Sequence, residues 1–215
     1  MDLLTTNTQY KASTHPCRIV LTGGPGGGKT TAADLFRREI GDRVVIVPEA
    51  ATLLFSGGFP RVIEVHAVRS LQQAIFHVQR NLEDVQSFSY QDRILLCDRG
   101  TVDGAAYWPA GNGNFFESVG TTIEAELSRY DAVIYFESAA VGGIQIEGGN
   151  PARIESLKEA VQLDMKLREL WSKHKNFEFI PHQASFLQKI SFALDAMKRI
   201  IVKVNGRSHE KPLLT

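Results

Sequence analysis

Cysteine is scarce in this chain: Cys17 and Cys97 are two in 215 residues, too few and too distant for a disulfide scaffold or a zinc cluster. A surplus of charge is missing as well. Lys+Arg 24 balance Asp+Glu 24, which argues against a nucleic-acid grip built on net positive field, although a local basic pocket stays open. No apolar run approaches the roughly 18 residues of a membrane span. The opening MDLLTTNTQYKASTHP carries no signal-peptide apolar core. What is present is a globular composition, 43% hydrophobic and 22% charged, which excludes wholesale disorder. The length suits one domain able to bury roughly 70% of its unfolded surface. These features lead us to expect a soluble cytoplasmic domain with no membrane span and no nucleic-acid partner.

Residues 1–16 are polar and aperiodic and read as an N-terminal arm. Short β-branched or apolar runs then alternate with helical spacing. Strands are expected at Ile19–Leu21, Val44–Val47, Ile94–Cys97, Ala132–Phe136 and Phe177–Ile180. Helices are expected over 30–40, 61–88, 116–129, 152–174 and 186–202. On the long second helix, Ile63, Ala67, Leu71, Ala74, Ile75, Val78, Leu82 and Val85 form the apolar stripe. Strands apolar on both faces and separated by helices require a parallel sheet covered on each side. The expectation is one α/β domain over 17–203, with a Gly-rich lid at about 138–155 and a tail at 204–215.

Gly23-Gly24-Pro25-Gly26-Gly27-Gly28-Lys29-Thr30 matches G-x-x-x-x-G-K-[ST] in full. Glycines let successive N–H groups curl inward onto phosphate oxygens, where side chains would obstruct the approach. Lys29 would reach the β- and γ-phosphates, Thr30 would offer its hydroxyl to Mg²⁺, and Thr31 would continue the cradle on the helix. The start of that helix adds the positive end of its dipole. The match also lies between a predicted strand and a predicted helix, the context the motif needs.

Later residues narrow the class. No guanine-reading N-K-x-D occurs and no D-x-x-G follows the third strand, which excludes a Ras-like switch. The third strand ends Cys97-Asp98-Arg99, without the Asp-Glu of water-activating ATPases. Ser56-Gly57-Gly58 follows the P-loop too soon to be a transporter-ATPase signature and reads as a turn.

On GGPGGGKT, Pro48-Glu49-Ala50-Ala51 after strand two, Asp98-Arg99-Gly100-Thr101-Val102-Asp103-Gly104 after strand three and a late Arg-containing lid, the chain resembles the P-loop kinases that include thymidylate and deoxynucleoside kinases. More narrowly, it is similar to the small ATP-binding, AAA-type domains that include the nicotinamide-riboside kinase domain of bacterial NAD regulators. The resemblance spans about residues 18–201. It implies a three-layer P-loop NTPase sandwich with a five-stranded parallel sheet in the order 2-3-1-4-5. It also implies that the P-loop and Asp98 lie side by side.

Glu49, at the carboxyl edge of strand two, could orient or deprotonate an acceptor hydroxyl, the role of the residue so placed in deoxynucleoside kinases, or simply favour a helix start. Asp98 could hold Mg²⁺ and Arg99 a phosphate, or the two could only close the strand as an ion pair. Asp103 could meet a sugar hydroxyl or begin a helix. Arg153, beyond Gly142-Gly143 and Gly148-Gly149, is the candidate lid cation, with Lys158 after it. Gln72 and Gln73 are candidate readers of an acceptor base by resemblance, and the loop 181–185 is where the adenine would lie. The six histidines lack metal-ligand spacing. Phe186, Leu187, Ile190, Leu194 and Met197 read as a core stripe. The expected function is an ATP- and Mg²⁺-dependent phosphotransferase acting on a nucleoside-like or other small-metabolite hydroxyl, with GTP left open as donor. The alternatives are a non-enzymatic nucleotide- and phosphoinositide-binding module or a plain NTPase. Helix 61–88 could support a homodimer.

Overall fold

The computed structural model describes residues 16–143 and 156–209, with side chains to residue 203. Five strands run parallel in one sheet: β1 (Arg18–Gly23), β2 (Val44–Val47), β3 (Ile94–Asp98), β4 (Ala132–Phe136) and β5 (Phe177–Ile180). Their order is β2-β3-β1-β4-β5, the order that the family resemblance implies. Register is fixed by pairs such as Val20↔Cys97, Val47↔Cys97 and Gly23↔Phe136.

The two-residue period of each strand divides the core between the two faces of the sheet. Ile19, Leu21, Leu96, Ile134 and Phe136 point to one side, where they meet Phe36 of α1 (Lys29–Ile40) and Ala193 and Met197 of α8 (Phe186–His209). Val20, Leu95, Cys97, Val133 and Tyr135 point to the other side. There they meet Phe76 of α3 (Val65–Ser89) and Leu167 and Trp171 of α7 (Leu157–Trp171). Each fully buried Leu, Ile or Val contributes about 1.5–3 kcal/mol. Covering both faces is what makes continuous apolar runs, rather than alternating ones, the right composition for these strands.

Several elements depart from the sequence expectation. A short helix, α2 (Ala50–Ser56), follows β2 directly and stops at Gly57, so Ser56 ends a helix and the turn is Gly57-Gly58. The long helix begins at Val65, where Glu64 caps it by accepting from the His66 and Ala67 amides. Of the expected apolar stripe, Leu71 is buried and Leu82 packs against the core, but Val85 is 62% exposed and Ile63, which precedes the helix, 96% exposed. The face turned inward carries Leu71, Gln72, Phe76, Gln79, Glu83 and Ser87. Polar groups on neighbouring elements hold that face, as described below. The helix expected over 116–129 is two pieces, α5 (Phe115–Ser118) and α6 (Ile123–Leu127), divided by Gly120 at φ 71. A further short helix, α4 (Gly104–Tyr107), follows β3. The capping box of Ser156 and Glu159 starts α7 at Leu157, later than expected. α8 runs past residue 203 to His209, and at its start Phe186 and Leu187 are exposed, so the core stripe begins at Ile190. Of the expected lid, residues 138–143 are described, with Ala139–Gly142 forming a 3₁₀ turn. Arg153 and the segments 1–15 and 210–215 lie outside the described residues. No helix among the described residues is long and apolar enough to cross a membrane.

Candidate phosphate-transfer site

The carboxyl ends of β1, β2 and β3 open on the same edge of the sheet, the edge where open α/β folds bind ligands. β1 delivers Gly23 into the loop that ends at Lys29. Gly23 has φ +133, and a Cβ there would overlap the Phe136 carbonyl of β4. Gly28 has φ +90, and its Cβ would come within 2.8 Å of the Phe186 ring. Both positions therefore require glycine. α1 starts at Lys29 with no side-chain cap on Gly28, so its first amides are open to an anion.

Lys29 is buried and its Nζ donates to the Gly23 and Gly24 carbonyls at 3.0 and 2.9 Å. Burial, then repulsion from Arg99, bring its pKa down to about 7 despite Asp98, Glu49 and Asp103. The Lys29 nitrogen is thus held inside the loop by the Gly23 and Gly24 carbonyls. Thr30 follows, its Oγ1 donating to Asp98 Oδ2 at 3.1 Å. Thr31, next on α1, is exposed. Burial raises the Asp98 carboxyl above its ordinary range, with Lys29 pulling the other way. A hydroxyl and a carboxylate in contact are hard oxygen donors of the kind Mg²⁺ takes, with the nucleotide's own oxygens completing the set.

Arg99 is the joint of the site. Its φ of 73 is the one left-handed backbone among described non-glycine residues, a conformation costing about 1–2 kcal/mol. Three donated bonds hold the side chain: Nε to Glu49 Oε1 at 3.0 Å, and one terminal nitrogen to Asp103 Oδ2 at 2.8 Å and to the Gly23 carbonyl at 3.2 Å. Burial opposes its charge, but Tyr107, Asp103 and Glu49 outweigh that and keep it cationic. Asp103 in turn accepts from the Thr22 hydroxyl at 2.8 Å and the Trp171 indole at 2.6 Å. Of the two readings of Asp103, contact with a sugar hydroxyl or a helix start, the carboxylate is committed to Arg99, Thr22 and Trp171, although it also precedes α4.

Glu49 closes the constellation. It precedes α2 without capping it, accepts from the Thr52 hydroxyl at 2.6 Å and from Arg99. Burial would push its carboxyl up, but Arg99, Thr52 and Lys29 hold it below the ordinary range, so it stays ionised. Lys29, Thr30, Glu49, Asp98 and Arg99 are therefore one contiguous group. The remaining candidates stand apart from it. Gln73 donates to the Ser118 carbonyl at 3.2 Å, Gln72 is buried on α3, and Lys158 is exposed on α7. His174 is a structural histidine, its Nε2 2.9 Å from the Tyr130 carbonyl.

Sequence reasoning missed Asp164. Its Oδ1 accepts from the Gly24 amide at 2.9 Å and the Ser138 amide at 2.8 Å, joining the P-loop to the segment after β4. The Ser138 hydroxyl adds a bond to the Pro25 carbonyl at 2.6 Å. The one signal was a carboxylate between Leu163 and Leu167 on the buried side of an amphipathic helix, where an unpaired charge is costly. Gln79 and Glu83 were missed for the same reason.

Solved structures that the chain resembles are thymidylate kinases. That of Candida albicans aligns at TM-score 0.61 and 12% identity, over 89% of this chain and 93% of that one. That of Ehrlichia chaffeensis aligns at TM-score 0.58 and 15% identity, over 87% and 98%. At such identities the likeness is one of fold. No curated protein matches. Residues 18–189, from the first strand to the start of the last helix, match the family described as AAA domain, and the chain belongs to that P-loop family.

Proposed function

We propose that the chain is an ATP- and Mg²⁺-dependent phosphotransferase whose acceptor is a hydroxyl of a nucleoside-like or other small metabolite. One observation carries the reading. The Arg99 guanidinium bonds the Gly23 carbonyl of the P-loop and the Glu49 carboxylate together, so the donor and acceptor sides meet at one cation. A nucleotide-binding module would need the P-loop alone. A water-activating NTPase would carry a carboxylate after Asp98, where Arg99 stands.

In this reading the P-loop amides and Lys29 bind the β- and γ-phosphates, with the loop 181–185 beside the base of ATP or GTP. Thr30 and Asp98 would hold Mg²⁺, which supplies charge neutralisation across the phosphate oxygens. Ionised Glu49 accepts a hydrogen bond from the acceptor hydroxyl and takes its proton as the O–P bond forms. Arg99 balances charge developing on the transferred group, and Arg153 is the further cation contributed by the lid.

The test is phosphoryl transfer from γ-labelled ATP with Mg²⁺ to nucleosides, nucleoside monophosphates and nicotinamide riboside. Each acceptor is run beside Glu49→Gln. Labelled product from the native chain, falling about 10²–10⁴-fold in the variant with ATP affinity retained, supports the reading. Phosphate released equally with and without acceptor identifies an NTPase. Tight ATP binding without turnover, together with affinity for phosphoinositide vesicles, identifies the binding module.

A further inference from the structure

The buried face of α3 is polar where a helix against a sheet is normally apolar, and its polar groups converge on the two turns that present Glu49 and Arg99. Gln79 is 2% exposed. Its Oε1 accepts from the Ala50 amide at 3.0 Å, the residue immediately after Glu49. Its Nε2 donates to the Arg99 carbonyl at 3.3 Å and to Glu83 Oε1 at 3.3 Å. One primary amide thus spans the ends of β2 and β3 and fixes the backbone next to both members of the ion pair.

Glu83, one turn further along, anchors the amide and is fully buried. Its Oε1 also accepts from the Tyr130 hydroxyl at 2.7 Å. That hydroxyl accepts from the Thr101 amide at 2.8 Å. The turn 98–101 is therefore gripped at two points, the Arg99 carbonyl and the Thr101 amide, and both grips end on the same carboxylate. Arg129 donates to Glu83 Oε2 at 3.0 Å, and Arg18 lies 3.7 Å from it, so the charge needed to anchor the network is itself compensated. The left-handed Arg99 backbone persists only if its surroundings over-determine it, and these bonds are what its carbonyl side contributes.

We propose that Gln79 and Glu83 are positioning residues that hold Arg99, and through it Glu49, in place for phosphoryl transfer. The inference deepens the proposed function and rests on it for its kinetic arm. Gln79 touches neither phosphate nor acceptor in this arrangement. It acts on the geometry of a cation that does, where a displacement of about 1 Å costs on the order of a hundredfold in rate.

Two arms test it. The first needs no turnover: the Arg99 side-chain Nε–H correlation in ¹⁵N spectra, identified by its loss in Arg99→Lys. In the native chain it is a separate, exchange-protected signal because Nε is bonded to Glu49. In Gln79→Met it merges with the signals of exposed arginines. A Gln79→Met protein with native sheet amides and an unchanged Arg99 signal overturns the proposal. If Gln79→Met does not fold, Tyr130→Phe, which removes one oxygen and frees the Thr101 amide, is read by the same signal: merging supports the proposal and an unchanged signal overturns it. The second arm is kinetic. Gln79→Met lowers kcat roughly tenfold to a hundredfold while KM for ATP stays within about threefold, and it costs nothing further in an Arg99→Lys background. Equal losses in the native and Arg99→Lys backgrounds overturn the proposal, because Gln79 would then act elsewhere. A native chain that transfers phosphate to no acceptor defeats the proposed function, and the Arg99 signal alone then decides the positioning claim.

Discussion

Lys29 offers the most direct perturbation of the site, because burial disfavours its charge and a bound phosphate would favour it. In the free protein its pKa is held at about 7, so protonating it there costs about 5 kcal/mol more than in water, at about 1.4 kcal/mol per pH unit. This folded value lies below the ordinary 10.5. Folding therefore expels a proton between about pH 7 and 10.5, and Lys29's contribution to stability rises with pH across that window. Bound polyphosphate reverses the balance by restoring the charged form. At pH 8 the free lysine is mostly neutral, whereas nucleotide phosphates, with a last pKa near 6, are ionised. Binding of metal-free ATP at pH 8 should then take up ~0.9 proton, against less than ~0.1 from Lys29 at pH 6. The assay is titration calorimetry in two buffers of different ionisation enthalpy. Lys29→Arg, whose charge is permanent, should lose the uptake. Equal heats in the two buffers at pH 8 would refute the account of a desolvated lysine parked on carbonyls.

Asp164 separates an acceptor from a charge. Asp164→Ala leaves the buried Gly24 and Ser138 amides unbonded and should cost about 2–6 kcal/mol, at 1–3 per orphaned group, whereas Asp164→Asn keeps an acceptor oxygen and should cost well under half as much. Denaturant unfolding of both variants gives the comparison, and equal losses would refute it. Ile63→Asp, at a residue 96% exposed, should change stability by no more than about 0.5 kcal/mol. A loss of 2 kcal/mol or more, roughly the value of a buried aliphatic, would place Ile63 in a core after all.

The sheet and the phosphate loop were legible in the residues because each rests on a local rule. Apolar runs such as Ile94–Cys97 and Ala132–Phe136 suit strands covered on both faces, and both are buried throughout. GGPGGGKT needs its glycines for backbone reasons alone. Glu49, Asp98 and Arg99 were legible as strand-end residues on the ligand edge. What escaped was everything decided by partners far away in the sequence. Hydrophobic periodicity finds Leu71 on the inward face of α3 but not Gln79 and Glu83, which are buried for their hydrogen bonds to Ala50, Arg99 and Tyr130. Apolar Val85 meanwhile faces outward. Asp164 is hidden in the same way, its Gly24 contact separated by 140 positions. The helix break at Gly120 depends on a left-handed backbone that apolar spacing does not record, whereas the turn at Gly57-Gly58 was legible.

The indole of Trp171 makes the molecule its own optical probe. It is fully buried and bonded to Asp103, whose other oxygen holds Arg99. The excited indole is therefore two contacts from the cation that joins the P-loop to Glu49. Any rearrangement of that ion pair alters the electric field across the ring and shifts its emission. The chain has only one other tryptophan, Trp108, which stacks under Arg69 with 5.2 Å between the guanidinium and the ring centre. With Trp108 changed to Phe, the intrinsic fluorescence of an unlabelled sample follows the site in real time.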